Sequence, residues 1–171
     1  VGGSGAVIVG NYLYGSYGSL YLQAGNSLST TMVNNTFNGR GLSAADEDGG
    51  IPDVVGVNAS GTGYAITLVN NVFTGLMTGI SKGGTGTVTE TYNSFYGNTA
   101  NGVTLHGSDL TSNPLLLDDG RPAAASPLRR AGAAYGGCRD ARGRVCPSDR
   151  PNIGAYQSTS GDPAATRAVR N

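Results

Sequence analysis

Three times in this chain a strand-like run ends in Asn followed two residues later by Phe: TTMVNNTF at 30–37, AITLVNNVF at 65–73 and VTETYNSF at 88–95. The pairs are Asn35 with Phe37, Asn71 with Phe73 and Asn93 with Phe95, and Asn11-Tyr12-Leu13 is a fainter copy ahead of them. Successive Asn positions lie 24, 36 and 22 residues apart, so the repeating unit is short and takes insertions. Self-similarity at such a period marks a solenoid, whose repeats cannot bury an apolar face alone and stack to make one core.

Residue types within the copies select strands. Ala65-Ile66-Thr67-Leu68-Val69 and Val88-Thr89-Glu90-Thr91-Tyr92 are rich in β-branched and aromatic residues at roughly alternate positions, with Gly and Asn at both ends. No Gly-free window of a dozen residues carries apolar residues at helical spacing, which disfavours a helical repeat. An Asn between two short strands suits a sharp bend, because it tolerates the left-handed region and its amide bonds to backbone. Stacked tier on tier, Asn35, Asn71 and Asn93 would form a hydrogen-bonded amide ladder, with Phe37, Phe73 and Phe95 stacked inside. Unrelated hairpin turns are the alternative reading of the same dipeptides.

These features resemble the C-terminal part of a right-handed parallel β-helix of the pectate-lyase-like superfamily, over most of residues 7–157. In the second half, Asn113-Pro114-Leu115-Leu116-Leu117, Ala125-Ser126-Pro127-Leu128, Ala131-Gly132, Asp140-Ala141-Arg142-Gly143-Arg144 and Asn152-Ile153-Gly154-Ala155-Tyr156-Gln157 follow in order. That series is similar to the closing segment of secreted bacterial β-helix proteins with a variable cell-surface anchor, in which the positions of Asn152 and Gln157 are usually acidic. The resemblance implies an all-β solenoid with an irregular C-terminal cap, at the cell surface or secreted. It implies two functions: a structural or adhesive module contacting extracellular polysaccharide or neighbouring subunits, or the C-terminal fragment of a polysaccharide lyase or glycoside hydrolase acting on acidic polysaccharide.

Composition fits an extracellular solenoid. There are 29 Gly, 3 Phe and no Trp, so the core is built from stacked aliphatics rather than large aromatic anchors. Charged residues are 13% of the chain, against roughly a quarter in ordinary soluble domains, and Ser, Thr and Asn supply the polar surface. Eleven basic and eleven acidic residues cancel, which argues against a nucleic-acid binder needing a basic stripe. No run of 18 apolar residues suggests membrane insertion. Cys138 and Cys146, eight positions apart without a nearby His, read as a local disulfide worth ~2–3 kcal/mol and imply an oxidising compartment.

The expected organisation is β-helix tiers over 1–117 with an inserted loop at 45–63, a capping segment at 118–157 that holds the disulfide, and a flexible or partner-docked tail at 158–171. One outer sheet is expected from Leu20–Leu22, Leu42–Ala44, Ile80–Lys82 and Val103–His106. Alternation then turns Tyr21, Ser43, Ser81, Thr104 and His106 outward. Tyr21, Ser81, Thr104 and His106 are the candidate ligand-binding residues. None is Asp, Glu or Arg, so the acidic and basic row of the family's enzymes is not expected here and no catalytic residue is assigned.

Asp46-Glu47-Asp48, followed by Gly49-Gly50, is the candidate metal site. Hard cations such as calcium take several oxygen ligands, but the spacing is not that of a D-x-D-x-D-G loop. No other cofactor is expected. Asn58-Ala59-Ser60 on the insertion matches the N-glycosylation pattern. The glycine-rich start, followed directly by Ala6-Val7-Ile8-Val9, leaves a first tier without a cap, and the expected answers are missing upstream tiers, a cap formed by another chain, or head-to-tail stacking into a filament.

Overall fold

The computed structural model describes residues 5–14, 20–24, 29–39 and 54–158. Among them are eleven strands and no helix: β1 (Ala6–Val9), β2 (Tyr12–Tyr14), β3 (Leu20–Ala24), β4 (Ser29–Val33), β5 (Thr36–Asn38), β6 (Val55–Gly61), β7 (Ala65–Val69), β8 (Val72–Thr74), β9 (Thr78–Lys82), β10 (Thr87–Thr91) and β11 (Ser94–Tyr96). They build three sheets, ordered β1-β4-β7-β10, β2-β5-β8-β11 and β3-β6-β9, and every strand pair is parallel. Each tier of chain therefore visits the first, second and third sheet in turn before the next tier begins. The fold is all-β with stacked parallel sheets, an arrangement compatible with a solenoid.

Register follows the sequence repeat. Leu13, Phe37, Phe73 and Phe95 align across the second sheet. The rings of Phe37 and Phe73, and of Phe73 and Phe95, stack with centroids 5.0 Å apart. Ile66 and Leu68 from the first sheet and Val57, Ala59 and Ile80 from the third close on this stack, giving one continuous core. Between the first and second sheets the chain turns through a residue in the left-handed region: Gly10, Asn34, Asn70 and Tyr92, with φ from 54° to 68°. The sequence reading placed that conformation on the ladder Asn itself. It falls one residue earlier, so one residue makes the bend while the next directs its amide along the stack.

The third sheet departs from expectation in two places. Residues 45–63 are not wholly a loop, since β6 lies within them and pairs with both β3 and β9. Gly56 lets it enter: a Cβ there would sit 2.6 Å from the carbonyl oxygen of Gly79 and 2.7 Å from the Phe73 ring. Leu42–Ala44, expected in this sheet, lies outside the described residues. Gly102–His106 is not a strand: after Ala100 bridges Thr78, the chain leaves the third sheet and folds over the end of the fourth tier, where Val103 and Leu105 pack against the core.

Residues 118–157 do not sit over that end, where the cap was expected. They run back along the flank of the second sheet. Leu128 and Ile153 pack on the outward side of Val72, making a second apolar cluster. The Asn34 side chain donates to the carbonyls of Asn152 and Gly154, Asn70 exchanges two hydrogen bonds with the backbone of Ala133, and Thr36 Oγ1 accepts from the N–H of Ala155. The segment reaches the first tier, where the Tyr12 ring lies against Tyr156 and against Gly120. Thr36 and Val72, outward-facing on their strands, are buried by this covering, while Ser94, next in the row, is bridged by Leu110.

Candidate functional site

The amide ladder runs through all four tiers. Asn11 donates its backbone and side-chain N–H to Asn35 Oδ1, Asn35 likewise to Asn71 Oδ1, and Asn71 to Asn93 Oδ1, all within 2.8–3.1 Å. Asn35, Asn71 and Asn93 also donate sideways to the carbonyls of Ile8, Met32 and Leu68. Asn35, Asn71 and Asn93 are fully buried, so every donor must be matched and the ladder holds the tiers in register.

The ladder ends on a carboxylate. Asn93 donates its backbone N–H to Asp109 Oδ1 at 2.8 Å. Beside it stands Glu90, in register with Leu68, which is itself aligned with Met32 and Ile8. Where three tiers place an apolar side chain inside, the fourth places a carboxyl group that is 8% exposed. The N–H of His106 lies 2.8 Å from both Glu90 Oε1 and Asp109 Oδ2, and Asn93 Nδ2 is 3.2 Å from Glu90 Oε2. Burial first, then the hydrogen bond and charge of Asp109, push the Glu90 carboxyl up to about 7, against a smaller downward pull from Asn93 and His106. Alternation through Thr87–Thr91 gives the signal for this inward carboxyl in the sequence, which the reading by types alone passed over.

The candidate ligand residues do not form one row. Tyr21 and Ser81 are aligned through Asn58, which occupies the position expected for Ser43. Thr104 and His106 lie off the sheet, exposed on the loop that covers the fourth tier. The His106 ring is tied to Ser108 Oγ at 2.8 Å. Asn58 is partly buried within β6, not on a loop as the glycosylation reading assumed. Asp46, Glu47 and Asp48 lie outside the described residues. Among the described residues no group of three or more His, Cys, Asp or Glu is placed to hold a metal ion.

On the first sheet a different surface emerges. Val7, Thr31, Thr67 and Thr89 form one outward row across four tiers, flanked by Ser29, Ala65 and Thr87 on one side and on the other by the partly buried Val9, Val69 and Thr91 and the fully buried Val33. None of these side chains is charged or aromatic. Val7, Ser29, Ala65, Thr67, Thr87 and Thr89 are exposed. Parallel strands repeat at about 4.8 Å, so the row is a regular, flat array of methyls and hydroxyls.

The buried Asp140 is committed to structure. Its Oδ1 accepts the N–H groups of Arg142 and Arg144, and its Oδ2 accepts Arg144 Nε at 3.0 Å. Both guanidinium groups also donate to the carbonyl of Gln157. The Asn152 N–H donates to Gln157 Oε1, while Gln157 Nε2 donates back to the Asn152 carbonyl. An ionised acid at 157 could not make that return bond, which Gln157 gives to a backbone carbonyl. Cys138 and Cys146 are joined, closing the hairpin in which Arg139 pairs with Val145. No helix among the described residues is long and apolar enough to cross a membrane. Comparison with family models, with curated proteins and with solved structures finds no match to this chain.

Proposed function

We propose that this chain is a non-catalytic module of an extracellular, right-handed parallel β-helix of the pectate-lyase-like kind, which binds a neutral extended glycan along the outer face of its first sheet. The observation that carries the reading is the uncharged row Val7, Thr31, Thr67 and Thr89. A linear polymer meets the same methyl and hydroxyl at three successive tiers, Thr31, Thr67 and Thr89, and the face offers an acidic polymer no counter-charge. The disulfide supports an oxidising, extracellular setting. Hydrolysis or elimination needs an acid and a base reaching the substrate. The buried carboxyls of Glu90 and Asp140 are engaged by structural donors, and the row Asn58–Ser81 has no such group.

β1, β2 and β3 are the terminal strands of their sheets on the same side, and Asn11 Oδ1 accepts nothing among the described residues. The opposite end is covered by residues 101–110. Head-to-tail stacking would have to displace or add to that covering, so this reading keeps strand pairing at β1–β3, by preceding chain or by a neighbour, as the contact made at the first tier.

Cosedimentation with insoluble neutral polysaccharides, cellulose and chitin, tests the proposal. Binding should be saturable and lost in a Thr67→Lys/Thr89→Lys variant that keeps its fold. Equal binding by that variant, or release of unsaturated or reducing sugar from polygalacturonate by the unmodified chain, overturns it.

A further inference from the structure

The Glu90–Asp109 pair does more than end a ladder. Two carboxyl groups, Glu90 buried in the stack and Asp109 partly buried on the covering loop, share their donors: the N–H of His106 reaches both, while Asn93 gives its backbone N–H to one and its side-chain N–H to the other. No cation faces them among the described residues. Leu68 flanks Glu90 along the row, Asn93 faces it from the bend, and the covering loop brings Asp109, His106 and Ser108, with the His106 ring held by Ser108 rather than by either carboxyl. Like charges that share the same donors in a partly dehydrated site disfavour double ionisation, and a proton held between the two carboxyls removes the conflict.

The same groups fasten a segment. Residues 101–110 are attached to the fourth tier by the His106 and Asn93 bonds to the pair, by Tyr92 donating its N–H to Ser108 Oγ, and by the backbone bonds from Leu110 to Asn93 and from Phe95 to Leu110. Beneath them Val103 and Leu105 shield the end of the core that contains Phe95 and Val88. We propose that Glu90 and Asp109 form a pH-responsive latch: with one proton shared between them the loop 101–110 is closed over the core, and with both ionised it opens and exposes the apolar end of the stack.

The direction follows from linkage. Glu90 in the closed state holds its proton up to about 7, whereas in an opened, hydrated loop it returns toward the ordinary value of 4.5. Between those values the closed state binds more protons than the open one, so closure weakens as pH rises. Its contribution is complete below about 4.5 and lost by about 7. A glycan module that reseals in acid and loosens toward neutrality would expose a new apolar edge only in the less acidic setting.

Hydrogen exchange by mass spectrometry on the whole chain tests this, with peptides covering 98–112 compared between pH 5 and pH 8 after correction for intrinsic exchange. Protection of His106, Asp109 and Leu110 should fall at least tenfold with a midpoint near 7. Glu90→Gln, which donates to Asp109 as the protonated acid does, should stay protected throughout; His106→Asn, which keeps the bridging backbone N–H, should retain the pH dependence. A flat profile in the unmodified chain, or a midpoint unchanged in Glu90→Gln, overturns the latch. If Glu90→Gln does not fold, carbon-13 titration of the Glu90 carboxyl in the unmodified chain decides: a midpoint below 5 overturns it, and one near 7 that drops in Asp109→Asn supports it.

Discussion

A single atom, Asn71 Oδ1, accepts both the backbone and the side-chain N–H of Asn35, at 2.9 and 3.0 Å, while the amide nitrogen of Asn71 donates on to Asn93 and sideways to the carbonyl of Met32. One side chain thus joins three tiers. Asn71→Ala is expected to leave two buried donors of Asn35 and one buried carbonyl unmatched. At roughly 1–3 kcal/mol for each orphaned group the loss should reach about 3 kcal/mol or more. Urea unfolding with tryptophan-free detection by circular dichroism measures it; a loss below 1 kcal/mol would show that water fills the site and that the ladder is not what aligns the tiers.

Much of this ladder was legible in the sequence, because Asn and Phe recur as a pair and a repeated residue carries its own register. The third sheet was less legible. β6 reads Val55-Gly56-Val57-Asn58-Ala59-Ser60-Gly61, whose Gly, Asn and Ser resemble a loop. Its alternation of Val55, Val57 and Ala59 was the signal, and the need for Gly56 comes from the approach of Gly79 and Phe73, which belongs to tertiary packing. The covering loop 101–110 was hidden for the opposite reason. Val103-Thr104-Leu105-His106 alternates like a strand, but Gly102, at φ 78°, turns the chain over the Ile80 carbonyl and takes it off the sheet. The Thr face needed the pairings themselves, since variable insertions place Thr31, Thr67 and Thr89 at unequal spacings in the chain.

Thr30 lies in the core row of Ala6, Ile66 and Val88, is 1% exposed, and its Oγ1 has no hydrogen-bond partner. A hydroxyl taken from water without a partner is destabilising, and Val has the same shape without that demand. Thr30→Val is expected to raise stability by about 1–2 kcal/mol. A thermal midpoint equal to or below that of the unmodified chain would sink this prediction and point to a water bonded to Oγ1.

The Cys138–Cys146 bond closes a short hairpin whose Arg139 carbonyl lies against Gly10 in the first tier, where an added Cβ would come within 2.2 Å of it. Loss of the bond therefore frees a segment that clamps the flank, not the stacked sheets themselves. A Cys138→Ser/Cys146→Ser variant should lose about 2–3 kcal/mol. Limited proteolysis should cut first within 134–150 while the β4–β5 and β7–β8 tiers remain intact. Simultaneous cleavage throughout the tiers would instead mean that flank and stack unfold as one unit.

Tyr92 occupies the left-handed bend of the fourth tier at φ 55°, where the tiers before it use Asn70 at 58°, Asn34 at 54° and Gly10 at 68°. A bulky residue is strained in that region by about 1–2 kcal/mol, whereas Asn bonds locally and enters it readily. Tyr92 is 39% exposed, so replacing its ring removes only part of a buried contact. Its backbone N–H, which bonds Ser108 Oγ, is kept by any residue other than Pro. Tyr92→Asn is therefore expected to stabilise the chain by about 1 kcal/mol, and Tyr92→Val, branched at Cβ, to destabilise it by a similar amount. Urea midpoints for the three chains should fall in the order Asn, Tyr, Val. The order Tyr above Asn would mean that ring packing beside the covering loop outweighs the backbone strain, and that the bend is held by side-chain contact instead of by conformational preference.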